Sequence, residues 1–141
     1  MTRMRQEGQF GKVVVRALDG RLFKGFSKAD FIGEEVQLID AKGNPTTIPL
    51  IELKAVFFVR DFQGNPEYNE VHFFAKEPPR PWLWVRVRFT DGEVLEGRVR
   101  NNLSLLDPKG FYLWTSDEGA NHEMAFVVKT ALDEFTVLGL A

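Results

Sequence analysis

The chain carries one short passage twice, and no other feature constrains its fold as much. Val13-Val14-Val15-Arg16-Ala17-Leu18-Asp19-Gly20-Arg21-Leu22-Phe23-Lys24-Gly25 returns as Val85-Arg86-Val87-Arg88-Phe89-Thr90-Asp91-Gly92-Glu93-Val94-Leu95-Glu96-Gly97. Two valines, an arginine, the Asp-Gly pair and a later glycine recur in register. Further on, Ile48, Leu53, Val56, Phe58 and Val59 align with Val127, Leu132, Phe135, Val137 and Leu138. Self-similarity on this scale means one small β unit used twice. Each half holds roughly 60–70 residues, a size at which burial alone leaves stability marginal. The halves are therefore expected to share an interface, or the chain to oligomerise.

Each copy opens as a β-hairpin. Val13, Val15 and Ala17 alternate with Val14, Arg16 and Leu18, as Val85, Val87 and Phe89 do with Arg86, Arg88 and Thr90. Asp19-Gly20 and Asp91-Gly92 supply the turns, because glycine takes a positive φ without steric cost. A two-residue turn would set Glu96 against Val87 on the apolar face. A three-residue loop instead pairs Val87 with Leu95 and Arg86 with Glu96, and alternation and charge both favour it. The same register pairs Val15 with Phe23 and Val13 with Gly25. Gly25 and Gly97 then fall inside the second strand, where a glycine marks a bend or a close backbone approach.

A third strand follows at Glu35–Ile39 and at Gly110–Trp114, and a fourth around Thr46–Ile48 and Glu123–Val128. The last is Lys54–Val59 and Glu134–Leu138, preceded in each copy by a stretch that fits one helical turn. The expected fold is mainly β: two small five-stranded barrels, Sm-like or SH3-like in size, arising from the repeat. We place the first in residues 11–60 and the second in 82–141. Residues 1–10 are expected to be disordered. Residues 61–81 read as a linker ending in Glu77-Pro78-Pro79-Arg80-Pro81, with an extra strand at Glu70–Phe74.

Composition narrows the function classes. Thirteen phenylalanines among 141 residues indicate aromatic-rich cores. The lack of cysteine excludes disulfides, thiolate zinc sites and cysteine nucleophiles, and suits a cytoplasmic location. The first residues lack the apolar stretch of a signal peptide, and no run reaches membrane-spanning length. A formal charge of −2 supplies no global basic field, so nucleic acid would have to be held by a local patch.

The repeated pattern resembles the Sm-like fold. In that family a V-x-V-x-L-x-D-G-R-x-x-x-G hairpin opens the unit and a strand ending V-x-I-R-G closes it. Val13 to Gly25 match the opening, and Val85 to Gly97 match it with Glu93 in place of the arginine. Val56-Phe57-Phe58-Val59-Arg60-Asp61 looks like the closing strand. The resemblance carries over only Asp30 and Arg60 of the family's RNA-binding residues. The whole chain is also similar to an uncharacterised bacterial group of paired Sm-like domains, sometimes found beside PilZ and response-regulator modules. Asn102-Leu103-Ser104 matches two positions of the PilZ nucleotide motif, but Asp107 stands where glycine is required, and an Asn-x-Ser in a loop is ordinarily turn chemistry.

The best single patch is the outer face of the second hairpin, where Arg86, Arg88, Arg98 and Arg100 share a side with Trp84. Such a strip can track phosphates or dock an acidic partner. Its plainer meaning is a solvated strand face with Arg86 paired to Glu96, and we weigh that higher. Trp82-Leu83-Trp84 is expected to cap the interface between the barrels. His72 and His122 lack further ligands at metal or catalytic spacing and are expected at the surface or in the linker. Ser27, Ser104 and Ser116 lack an evident base. We therefore expect a non-enzymatic regulatory or adaptor module that binds another protein and forms homo-oligomers through an exposed strand edge. No cofactor, metal or membrane is called for. RNA or other nucleic acid bound along the arginine strip is the alternative.

Overall fold

The computed structural model describes residues 10–28, 32–60, 62, 82–115 and 121–140. The first repeat contributes β1 (Phe10–Ala17), β2 (Leu22–Lys28), β3 (Glu35–Ile39), β4 (Pro45–Pro49) and β5 (Leu53–Val59). The second contributes β6 (Trp82–Phe89), β7 (Val94–Arg100), β8 (Gly110–Thr115), β9 (His122–Val128) and β10 (Leu132–Leu140). Single 3-10 turns precede both last strands, at Leu50–Glu52 and Lys129–Ala131, as the sequence indicates. A third, at Leu103–Leu106, has no sequence forecast. The linker strand at Glu70–Phe74, Asp30 and residues 1–9 lie outside the described residues.

Both hairpins adopt the expected register. Val15 opposes Phe23 and Val13 opposes Gly25, while Val87 opposes Leu95 and Arg86 opposes Glu96. Gly20 and Gly92 take φ of 93° and 92° at the loop ends. Gly25 and Gly97 mark close approaches. A Cβ on Gly25 would lie 2.6 Å from the Ile39 carbonyl oxygen, and one on Gly97 2.3 Å from that of Trp114. Nothing larger than hydrogen lets the next strand cross there.

Two separate barrels are not what the strands build. They join in one open antiparallel sheet of ten strands, ordered β10-β6-β7-β8-β9-β5-β1-β2-β3-β4. Within each repeat the order is the same: last strand, hairpin, third, fourth. The join is β5 against β9, with Val56 opposite Phe126 and Phe58 opposite Met124. The correction has a physical cause. Rather than closing on its own fourth strand, each undersized half offers one strand to the other, and the shared ladder covers both.

Register shows how one sheet serves two cores. Residues opposite one another point to the same face. Val13, Val15, Val56 and Phe58 share one face, which continues through Met124 and Phe126 to Tyr112 and Trp114. Val85, Val87, Leu95, Leu113 and Val127 lie on the other. The two repeats thus pack their interiors against opposite faces. β5 sits where the faces change over, and all seven of its residues are buried. A single cluster of buried side chains spans both repeats.

Candidate functional site

The arginine strip divides into two parts. Arg86 lies 2.9 Å from Glu96, and Arg88 is 3.3 Å from Asp133 and 3.0 Å from Glu134. Arg86 is paired with a Glu96 side chain that is largely buried, whereas the Arg88 pairs are exposed on both sides. Arg98 and Arg100 sit elsewhere, among aromatic rings. Both guanidinium groups lie over Trp82, at 4.6 and 4.9 Å from its centroid, and Arg100 also lies 5.3 Å from the Trp114 centroid. Trp82 meets Trp114 edge-on at 5.1 Å. Trp82 thus lies on the outer face of the second hairpin with Trp84, which shares that face through its register with Arg98. The third and fourth strands supply the rest of this face, which hairpin reasoning missed; the Tyr112-x-Trp114 alternation was its signal.

β7 and β8 pair only at Gly97–Thr115 and Arg98–Trp114, then part at the Leu103–Leu106 turn. Where they part lies a cavity of about 260 Å³, walled by Tyr112, Trp114 and Phe126 with Arg100 and Asn102 at its rim. Asn102 accepts the Ser104 backbone N–H at 2.9 Å, so the Asn-x-Ser motif caps a turn. Arg60 directly follows β5, its N–H donating to the Asn121 carbonyl at 2.8 Å. His122 corrects the surface expectation: it is 9 % exposed, beside the Phe57 ring at 5.0 Å. Ser27 is buried and donates to the Gln37 carbonyl at 2.8 Å. Among the described residues no three potential metal ligands cluster, and no helix is long and apolar enough to cross a membrane.

A second group, not anticipated from sequence, ties the repeats together. Lys54 is the bulge residue of β5, and its side chain is only 7 % exposed. Its Nζ reaches the turn of the second hairpin, bonding Asp91 at 2.7 Å and also Glu93. Arg16 adds a 3.3 Å contact to Glu93. The lysine bond and the Glu93 backbone N–H hold the Asp91 carboxyl below its ordinary range. In the first hairpin the equivalent acid, Asp19, pairs with its own Arg21 at 2.7 Å. Glu93, which stands where the first hairpin has Arg21, thus binds across the repeats together with Asp91.

The third feature is an open edge. Among the described residues the sheet ends at β4 and at β10. Thr90 N–H donates to the Ala131 carbonyl at 2.9 Å, so Arg88 and Arg86 direct their backbone bonds toward β10. Alternation then turns the N–H and C=O groups of Phe135 and Val137 outward. These two residues are 40 % and 48 % exposed, and Leu140 is 63 % exposed. Phe135 rests edge-on against Phe111 at 5.4 Å, marking the rim of the second core.

A family profile matches residues 9–139. The chain belongs to DUF6982, a family of unknown function. No curated protein and no solved structure matches it. For this DUF6982 member the Sm-like resemblance accordingly rests on its sequence motif, and function has to be argued from the edge and the arginine–aromatic face.

Proposed function

We propose that the chain is a non-enzymatic adaptor that binds protein by accepting an extended strand along β10. One observation carries the reading: among the described residues no strand lies against the outward backbone of Phe135 and Val137, which are half exposed, whereas Val56 and Phe58, their counterparts in the first repeat, are covered by β9. Strand addition draws affinity from backbone bonds and specificity from alternate side chains, and β10 offers both. The common strand order of the two repeats supports regarding each as a Sm-like unit opened onto its neighbour. The absence of cysteine suits a reducing compartment such as the cytoplasm.

The test uses the strand that already fits the equivalent edge. A fluorescein-labelled peptide copying residues 121–128, titrated against the full chain, should bind saturably and raise anisotropy. Val137→Pro removes an outward N–H and should weaken that binding at least tenfold, whereas Thr47→Pro on the opposite edge should leave it unchanged. A flat titration at a dilution where the folded wild-type chain is monomeric would sink the proposal.

The arginine–aromatic face favours a second reading, single-stranded nucleic acid. Stacked guanidinium and indole groups beside an aromatic cavity suit a base and its phosphate. Anisotropy of a mixed-sequence RNA at low and physiological salt is the check. The reading requires salt-sensitive binding that disappears in Arg100→Glu with Trp114→Ala. RNA binding retained by that variant would reject this face as the site.

A further inference from the structure

Resting on the strand-acceptor reading above, we propose that the occupant of β10 is β10 of a second copy, paired antiparallel about a two-fold axis at Thr136. The first ground is what the other edge lacks. On β3 and β4, Asp40 N–H donates to the Asn44 carbonyl at 3.0 Å and Leu50 N–H to the Glu34 carbonyl at 2.8 Å. The bonded pairs between these strands therefore include Leu38–Thr46 and Val36–Ile48. Pro45, Thr47 and Pro49 turn outward, and of these only Thr47 has an N–H. On β9 the equivalent residues are Met124, Phe126 and Val128, all donors, and β9 does pair. Two prolines blunt β4 in the way natural sheets protect their edges. With β4 so blunted a second copy does not repeat the β5–β9 join head to tail, and among the described residues β10 is the edge it has left to offer.

The second ground is self-complementarity. Antiparallel pairing about Thr136 sets Phe135 opposite Val137 of the second copy, and Val137 opposite its Phe135. Both are the residues whose backbone faces outward, so two equivalent bonded pairs form. Each is an aromatic–β-branched pair of the favourable cross-strand kind. Leu132 falls opposite Leu140. The acidic end matches the uncharged end, with Asp133 opposite Gly139 and Glu134 opposite Leu138, so like charges do not meet. Phe135 and Val137 lie on the face of the second core, and the two-fold axis keeps both cores on one side. The half-exposed rim of each core is thereby covered by the other. The contact is isologous and uses one edge from each copy, so it closes at a dimer.

Light scattering on the full chain, from low to high micromolar concentration, should give the mass of a dimer. Val137→Pro and Phe135→Lys should each give a monomer with an unchanged β circular-dichroism spectrum. A cross-link tests register without breaking the strand. The chain has no cysteine, and residues on the axis form a non-bonded pair about 4.5 Å apart at Cα, within disulfide reach. Thr136→Cys should yield a covalent dimer on mild oxidation, and Glu134→Cys should not. A wild-type monomer that still binds the β9 peptide would overturn the dimer and leave the strand-acceptor reading standing. A monomer that ignores the peptide would remove both. Masses that grow beyond a dimer would also overturn the proposal, because they would require β4 to pair.

Discussion

β5 and β10 occupy the same place in two copies of one unit, yet their fates differ. Each pairs with the first strand of its own hairpin, follows a 3-10 turn and contains a bulge. β5 then gains β9 as a neighbour and is buried throughout, while β10 gains none among the described residues and is half exposed. β9 and β4 show the same contrast, since β9 is covered and β4 is exposed except at Ile48. The burial of these strands follows the neighbour more than the local fold. Two pairs of equivalent edges existed in the repeat, β5 with β10 and β4 with β9; one member of each, β5 and β9, joins the halves, and the other two lie at the ends of the described sheet.

The sharpest test of that contrast removes the same position from both copies. Phe58 is fully buried between β1 and β9. Phe58→Ala should destabilise the chain by about 3–5 kcal/mol. Val137, its counterpart, is half exposed, and Val137→Ala should cost only about 0.5 kcal/mol in the monomer. Urea unfolding gives both values. Equal losses would mean that β10 is covered in solution, which the dimer predicts at concentrations where it forms. The comparison therefore needs dilute protein first and concentrated protein second.

Much of this contrast was readable in advance, though not its cause. Hairpin register, the Gly25 and Gly97 approaches and the turns before the last strands came through because each depends on a few adjacent residues. The β5–β9 join depends on a partner some seventy residues away, and periodicity does not name partners. It did leave a trace. Ala55-Val56-Phe57-Phe58-Val59 is apolar at every position, the mark of a strand buried on both faces, whereas Phe135-Thr136-Val137 still alternates. Glu93 was visible as a departure from the pattern, but nothing local pointed to Lys54. The arginine strip was legible as a face and illegible as chemistry, since the carboxylates that pair with Arg88 come from β10 and the rings around Arg100 from β6 and β8.

The glycines provide a smaller effect and a control, because both repeats use them alike. Gly25→Ala and Gly97→Ala each push a methyl into backbone, and overpacking of this kind costs about 1–3 kcal/mol. Gly97→Ala should be the worse of the two, given 2.3 Å against 2.6 Å to the facing oxygen. Thermal unfolding of the two variants ranks them. A harmless Gly97→Ala would show that the β7–β8 crossing is looser than described.

The charged tie between the repeats adds a pH-dependent increment. Asp91 has its folded pKa lowered, first by the Lys54 bond and then by the Glu93 N–H. A lowered acid pKa stabilises the fold above the unfolded value of 3.8 and loses that contribution as pH falls through the folded value. Because the carboxylate is 52 % exposed, the increment should be about 1 kcal/mol. Asp91→Asn should therefore lower stability near neutral pH and flatten its decline below about pH 4. Asp19→Asn, at the equivalent turn with only local partners, should do less. Matching acid profiles for the two variants would deny Lys54 its role across the join.

The smallest expected change in stability belongs to the prolines of β4, and it carries the largest change in assembly. Replacing Pro45 with Thr and Pro49 with Val restores two outward N–H groups on an exposed strand, and monomer stability should move by less than about 1 kcal/mol. The edge would then resemble β9, which pairs with the equivalent of β10 inside every chain. A β4–β10 contact between copies is heterologous and does not close in the manner of a two-fold pair. Light scattering of the double variant should accordingly show species larger than a dimer, and their growth should stop when Val137→Pro is added. If the double variant keeps the wild-type mass, the prolines are not what silences β4. The asymmetry between the two ends of the sheet would then have to come from its side chains, beginning with the exposed Thr46 and Thr47.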